Sequence, residues 1–164
     1  MLSIRQILVP TDLSAAETHA WSQALTLAQK FNTEVHLLHV VAPSRLAEPH
    51  AMKVHPEKIT QSLAAKASAR MEGQIARARA RRLTFYHEVR VGVDYREIGH
   101  YAMQHDIDLT VMATHGRTGL AHVLQGSVAE KVVRMAPCPV VTIRQPSLQI
   151  QNPLAPCRWG RGCH

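Results

Sequence analysis

Short apolar runs alternate with longer segments in which apolar residues recur every three or four positions. The apolar runs are residues 4–10, 33–41, 83–92, 108–114 and 137–144. Runs of this length, bounded by turn residues, are typical of strands. The run at 33–41 is nearly continuous, which suits a strand covered on both faces of a parallel sheet.

Four helices are predicted between these strands. Their ranges begin near 14, 57, 94 and 126, and the second runs to residue 82 with apolar residues every fourth position from Ile59 to Ile75. Ser14 is expected to cap the first helix, with Glu17 three residues later completing a capping box.

The alternation of strands and helices predicts an α/β fold of a single domain. We expect an open, mainly parallel five-stranded sheet with helices on both faces. Residues 1–145 form the predicted domain, and 146–164 read as a flexible tail. Ligands of such sheets bind beyond the carboxyl ends of the strands, where the winding reverses. The loops after the first and fourth strands are therefore the candidate ligand loops.

Composition describes a folded chain without membrane or disulfide features. Of the 164 residues, 46% are hydrophobic and 19% are charged, and no apolar run reaches the roughly 18 residues of a membrane span. No secretory signal is recognised at the N-terminus, so we expect a cytoplasmic protein. Cys157, Cys163 and His164 supply too few ligands at an unconvincing spacing, and no metal site is predicted.

The net charge of +7 raises the question of a nucleic-acid partner. Much of it comes from the second helix, where Lys66, Arg70, Arg77 and Arg81 share one face. This pattern is typical of a solvated face, and aromatic residues for base stacking make up only 4% of the chain. A nucleic-acid partner is therefore not expected, while attraction to some anionic partner stays open.

The loop after the fourth strand contains the residues of a possible phosphate site. Gly126 and Ser127 directly precede a helix, whose N-terminal N–H groups and dipole favour an anion. Gly116 would let the chain fold back over the same oxygens. The alternative is structural: a helix start and a turn.

Asp12 follows the first strand and could accept hydrogen bonds from a ribose hydroxyl or a base amino group. Its alternative role is a helix cap. An acceptor on one loop and an anion cradle on the other together describe a nucleotide site. The Walker, dinucleotide-fingerprint and nucleophile-elbow patterns are absent, and no catalytic residue is predicted.

Three segments resemble the universal stress protein family: ILVPTDLS at 7–14, LLHVV at 37–41, and ATHGRTGLAHVLQGSVAEKVVRMAPCPVVTIR at 113–144. The resemblance covers residues 4–144. It implies a Rossmann-like fold of the adenine nucleotide alpha hydrolase type.

The ATP-binding branch of that family has a loop of the form G-x-x-G, nine residues, then G-[ST]. This chain matches it at Gly116 and Gly126–Ser127 but has Ala113 in place of the first glycine. If position 113 required a positive φ, alanine would cost on the order of 1 kcal/mol. If it required only close approach, one methyl group would be tolerated.

The resemblance implies a nucleotide site in which each position has a role. Asp12 would contact the adenine or ribose, Val40 the base, Met112 and Ala113 the ribose side, and the glycines the phosphates. The implied site residues are Pro10, Thr11, Asp12, Val40, Met112, Ala113, Gly116, Arg117, Gly126, Ser127 and Val128.

The resemblance favours a stress-response protein that binds ATP, or ADP or AMP, with or without Mg²⁺, and acts as a sensor or regulatory module. It also implies a homodimer formed through the fifth strand, residues 139–144. Two alternatives remain. One is a slow ATPase or a nucleotidyl- or phosphoryl-transfer enzyme, although no dedicated catalytic site is expected. The other is a dimeric scaffold that has lost the nucleotide.

Overall fold

The computed structural model describes residues 3–14, 17–42, 56–114 and 128–144. Its strands are β1 (Gln6–Thr11), β2 (Glu34–Val41), β3 (Phe85–Val91), β4 (Leu109–Ala113) and β5 (Val140–Ile143). Its helices are α1 (Thr18–Phe31), α2 (Pro56–Ala78, followed by a 3-10 turn at Arg79–Arg81), α3 (Asp94–Gln104) and α4 (Val128–Met135). The strands form one sheet in the order β3-β2-β1-β4-β5, with every pairing parallel. The predicted α/β fold is confirmed.

Alternating strand residues supply two apolar cores, one on each face of the sheet. Val9 and Leu37 pack with Trp21 of α1 and Met71 of α2 on one face. On the other face, which α3 and α4 cover, the core comprises Leu8, Leu38, Val40, Ile98, Tyr101, Ala102, Ile107, Met112, Ala129 and Val132. Burial on both faces explains why the central strands are nearly continuous apolar runs.

The winding of the sheet reverses between β1 and β4. From β1 the chain moves outward through β2 to β3, then crosses back to β4 and continues to β5. The paired register of β1 and β4 ends at Leu8 and Thr110, although each strand continues for three more residues. The two strands therefore part toward their carboxyl ends, where the sequence predicts a ligand crevice.

The capping box predicted at Ser14 and Glu17 is wrong. Helix α1 begins at Thr18, and the residue before it, Glu17, has helical backbone angles and no side-chain cap bond. The carboxylate of Glu17 instead accepts hydrogen bonds from the loop that precedes the helix. The Glu17 side chain therefore binds the loop before the helix and does not take part in the capping box that the spacing suggests.

Several predicted segments lie outside the described residues: the tail at 146–164, most of the loop at 42–56, and positions 115–127 of the phosphate loop. Within the described part of the chain, no helix combines the length and apolar character needed to cross a membrane.

Candidate functional site

A buried apolar wall lies where β1 and β4 part, on the face covered by α3 and α4. Val40 and Met112 are buried there in one core cluster, and Val128, at the start of described α4, packs against it. Pro10 is buried and lies two residues beyond Leu8, so it faces the same side of the sheet. Four residues that the sequence assigns to one site therefore lie on one face, three of them in direct packing contact with a common cluster.

Thr11 and Ala113 lie on the opposite side of the sheet by the same alternation. Thr11 follows two residues after Val9, and Ala113 two residues after Val111, both of which belong to the α1 and α2 core. The predicted site residues of β1 and β4 thus divide between the two faces at the crevice. Thr11 and Ala113 therefore contribute their backbone atoms, and not their side chains, to the side of the sheet that carries the apolar wall.

Ala113 occupies regular strand geometry. It is the last residue of β4, pairs with Ile143 of β5, and is not among the non-glycine residues with positive φ. The strain that a positive φ would impose on alanine is therefore absent. In this structure the replacement of glycine costs no backbone strain at position 113.

Asp12 lies at the rim directly after β1, partly buried. Its Oδ1 accepts a hydrogen bond of 2.8 Å from the Ser14 N–H, which forms an Asx turn within the loop. The alternative that Asp12 caps α1 is wrong, because the helix begins at Thr18 and its N-terminal residue has no side-chain cap. Between Asp12 and Ser14, Leu13 adopts the left-handed region with φ of 61° while remaining buried.

The Glu17 side chain stabilises this turn through hydrogen bonds. Its carboxyl group accepts the Asp12 N–H at 2.6 Å, the Leu13 N–H at 3.2 Å, and the Thr11 hydroxyl. Burial raises the pKa of Glu17 to about 7, and the charge of Asp12 adds to the rise, while the bonds from Thr11 and the Asp12 backbone oppose it. The group that shapes the Asp12 turn therefore titrates near neutral pH.

Two further contacts tie the loop to the rest of the molecule. His39 of β2 hydrogen bonds through Nδ1 to the Thr11 carbonyl at 2.7 Å, and Arg70 of α2 donates to the Leu13 carbonyl at 2.6 Å. The sequence prediction missed His39, Arg70 and Glu17 as supports of the site. The helical spacing identified the face that carries Arg70, but no pattern shows which loop that face meets.

Gly116, Arg117, Gly126 and Ser127, the predicted phosphate ligands, lie outside the described residues. The described ranges contain no cluster of three or more His, Cys, Asp or Glu side chains able to hold a metal ion. What the structure describes is the adenosine half of the predicted site: a buried apolar wall, a carboxylate at the rim, and two strands that part.

Comparisons with known proteins agree with this architecture. The model of the universal stress protein family matches residues 3–144. A universal stress protein of Methanocaldococcus jannaschii is 33% identical over 148 residues, 87% of this chain and 83% of the relative. Universal stress protein UspA of Lactobacillus plantarum superposes with a TM-score of 0.69 at 28% identity, covering 86% of this chain and 98% of that one. A universal stress protein of Archaeoglobus fulgidus in complex with dAMP has a TM-score of 0.58 at 17% identity, covering 87% and 98%.

Proposed function

This chain belongs to the universal stress protein family, and on that premise we propose that it binds an adenine nucleotide, foremost ATP, in the crevice between β1 and β4. The observation that carries the proposal is the wall of Val40, Met112 and Val128 beside Asp12 at the carboxyl edge of the sheet. An adenine nucleotide has matching chemistry, with a flat apolar base, ribose hydroxyls that donate hydrogen bonds, and an anionic chain.

In the proposed complex the adenine packs against Val40 and Met112. The Asp12 carboxylate accepts a hydrogen bond from a ribose hydroxyl or from the base amino group. Pro10 and the backbone of Thr11 shape the wall of the crevice, and the backbone of Ala113 borders the ribose. The universal stress protein of Archaeoglobus fulgidus that shares this fold is in complex with dAMP, an adenine nucleotide.

The phosphates would lie over the N-terminus of α4. There the N–H groups of Gly126, Ser127 and Val128 and the positive end of the helix dipole favour an anion. Gly116 allows the chain to approach the same oxygens, and Arg117 adds a positive charge. Mg²⁺, when present, would neutralise phosphate charge, and Asp12 and Ser127 are the candidate oxygen ligands.

We propose that binding serves regulation in a cytoplasmic stress response. The ligand would favour a closed arrangement of its loops, and it shifts this population only as far as its affinities for the open and closed states differ. Two copies of the chain would pair through residues 139–144, since β5 is an edge strand with Val141 exposed. Such pairing would cover backbone groups that an edge strand leaves free.

Calorimetric titration with ATP, ADP and AMP, with and without Mg²⁺, tests the proposal after carried-over nucleotide is removed. We expect ATP to bind and Gly126→Asp to weaken it more than tenfold, because a carboxylate there repels the phosphates. Gly99→Asp is the matched control, since a Cβ at Gly99 meets no atom within 4 Å and the residue lies on α3. A flat titration of the folded wild type would refute nucleotide binding.

A further inference from the structure

A groove of about 460 Å³ separates α1 from α2, on the face of the sheet opposite the apolar wall. Three arginines of α2 and its 3-10 extension, Arg70, Arg77 and Arg81, line one side. Thr18 and Ser22 of α1 line the other side. The sequence predicts this basic face as solvated, whereas the structure turns part of it toward a concave surface.

The three arginines form a row of positive charge down the groove. Arg70 to Arg81 is eleven residues, or about 16 Å at the rise of a helix. Arg70 donates to the Leu13 carbonyl and Arg81 to the Gln29 side chain at 2.7 Å, both uncharged acceptors. Across the described ranges, none of the three forms an ion pair with a carboxylate. Their charge is therefore left uncompensated by the described side chains.

The groove also has hydrogen-bond donors and little negative charge. Ser14 lines its upper end, and the Ser14 hydroxyl is buried without a hydrogen-bond partner among the residues that the structure describes. Glu17 is the one acidic residue among the lining side chains. Its carboxyl group is turned toward the Asp12 and Leu13 N–H groups. An anion in the groove would meet the guanidinium donors of Arg70, Arg77 and Arg81 along its length.

We propose that this groove binds an extended phosphate polyanion, a linear polyphosphate chain, independently of the nucleotide crevice. A guanidinium group pairs with phosphate through parallel hydrogen bonds, and a row of them spaced over about 16 Å matches a chain better than a single phosphate. A nucleic-acid strand fits less well, because the described lining contains a single aromatic ring, Trp21, which is too few for successive bases to stack.

The test measures the affinity of the full chain for orthophosphate, tripolyphosphate and a polyphosphate long enough to span all three arginines. Each titration is run at one fixed salt concentration with the nucleotide crevice saturated by ATP, and repeated with Gly126→Asp. We expect affinity to rise with chain length and to be unchanged by ATP or by Gly126→Asp. If ATP or Gly126→Asp abolishes polyphosphate binding, the polyphosphate occupies the nucleotide crevice and the groove proposal fails.

Two groove variants and a matched control locate the binding. Arg77→Gln and Arg81→Gln are each expected to weaken the binding of the long polyphosphate about fivefold to tenfold, because each removes one charge-assisted contact. Arg79→Gln makes the same change of charge in the same segment, but Arg79 does not line the groove. It should change affinity less than twofold, and circular dichroism checks that all three variants fold.

Three results would overturn the proposal. Equal weakening by Arg79→Gln and Arg81→Gln would show attraction to net charge alone. Affinity independent of chain length would indicate a single-anion site. A single-stranded oligonucleotide that binds as tightly as the polyphosphate, with the same sensitivity to Arg77→Gln, would identify a nucleic-acid surface instead.

Discussion

Glu17 and His36 are buried titratable residues whose pKa values move in opposite directions. Burial raises the pKa of Glu17 to about 7, while burial and the neighbouring His105 lower the pKa of His36 to about 4. His36 also contacts the rings of Tyr86 and Tyr101, and hydrogen bonds to the Tyr101 hydroxyl at 2.9 Å. The folded state therefore prefers the neutral form of each residue. Stability consequently falls when Glu17 ionises at higher pH and when His36 is protonated at lower pH.

The sign follows from linkage between protonation and folding. Glu17 has a pKa of about 7 when folded against an ordinary 4.5, so its stabilising contribution is complete below pH 4.5 and is lost as pH rises through 7. His36 has a pKa of about 4 against 6.5, so its contribution is complete above pH 6.5 and is lost as pH falls through 4. The two windows overlap between pH 4.5 and pH 6.5, where the two contributions change in opposite directions, so the stability that depends on these two residues is greatest there.

We expect the titration of Glu17 to lower the free energy of unfolding by about 2 kcal/mol between pH 5.5 and pH 8, the part of its pKa shift that lies above pH 5.5. His36 offsets about 1 kcal/mol of this decline, because its unfolded form loses a proton in the same interval. Glu17→Gln should remove most of this decline, since an amide does not titrate. Urea denaturation at a series of pH values measures it. Glu57→Gln, at an exposed carboxyl in the first turn of α2, is the control. An identical decline in wild type and Glu17→Gln would contradict this assignment.

At the scale of elements, periodicity predicted the described strands and helices, whereas the family resemblance assigned Val40, Met112 and Val128 to one site. What periodicity did not predict is which backbone and side-chain groups each polar side chain contacts. The Ser14 and Glu17 spacing satisfies the local capping rule, yet three donors in the preceding loop compete for the same carboxyl group. Likewise, helical spacing predicts the face of α2 on which Arg70 lies. Its hydrogen bond to the Leu13 carbonyl depends on how α2 packs against the β1–α1 loop, which the spacing does not show.

The position of Ala113 within β4 leads to a prediction about nucleotide affinity. Because Ala113 has ordinary strand geometry, Ala113→Gly relieves no strain, and we expect ATP affinity to change by less than about threefold. Glycine in a strand should instead lower stability by roughly 0.5–1 kcal/mol. Calorimetry measures the ATP affinity, and urea denaturation of the same preparation measures the stability. An ATP affinity that appears only in the glycine variant would favour the scaffold alternative.

At the scale of the whole molecule, the two edges of the sheet differ in length and shape. β3 is a seven-residue edge strand and β5 a four-residue one, and each pairs with a single neighbour in the described structure. Edge strands expose unpaired backbone groups that a second copy can satisfy. The proposed homodimer uses β5, where Val141 is 37% exposed.

Val141→Lys should shift the protein from dimer toward monomer if β5 is the contact. Two lysines brought together across a symmetric edge repel each other and cannot be desolvated cheaply. Val91→Lys makes the same substitution on β3, where Val91 is 49% exposed, and should leave the assembly unchanged. Sedimentation velocity distinguishes the species. Dissociation by Val91→Lys alone would assign the contact to the opposite edge.

An adenine nucleotide bound where β1 and β4 part can be detected residue by residue with methyl and amide NMR during an ATP titration. We expect the largest chemical-shift changes at Val40, Met112 and Val128 and at the Asp12 amide, all saturating together. Little change is expected at Leu25, which lines the α1–α2 groove on the other face. Shift changes confined to the groove, or none at saturating ATP, would refute nucleotide binding between β1 and β4.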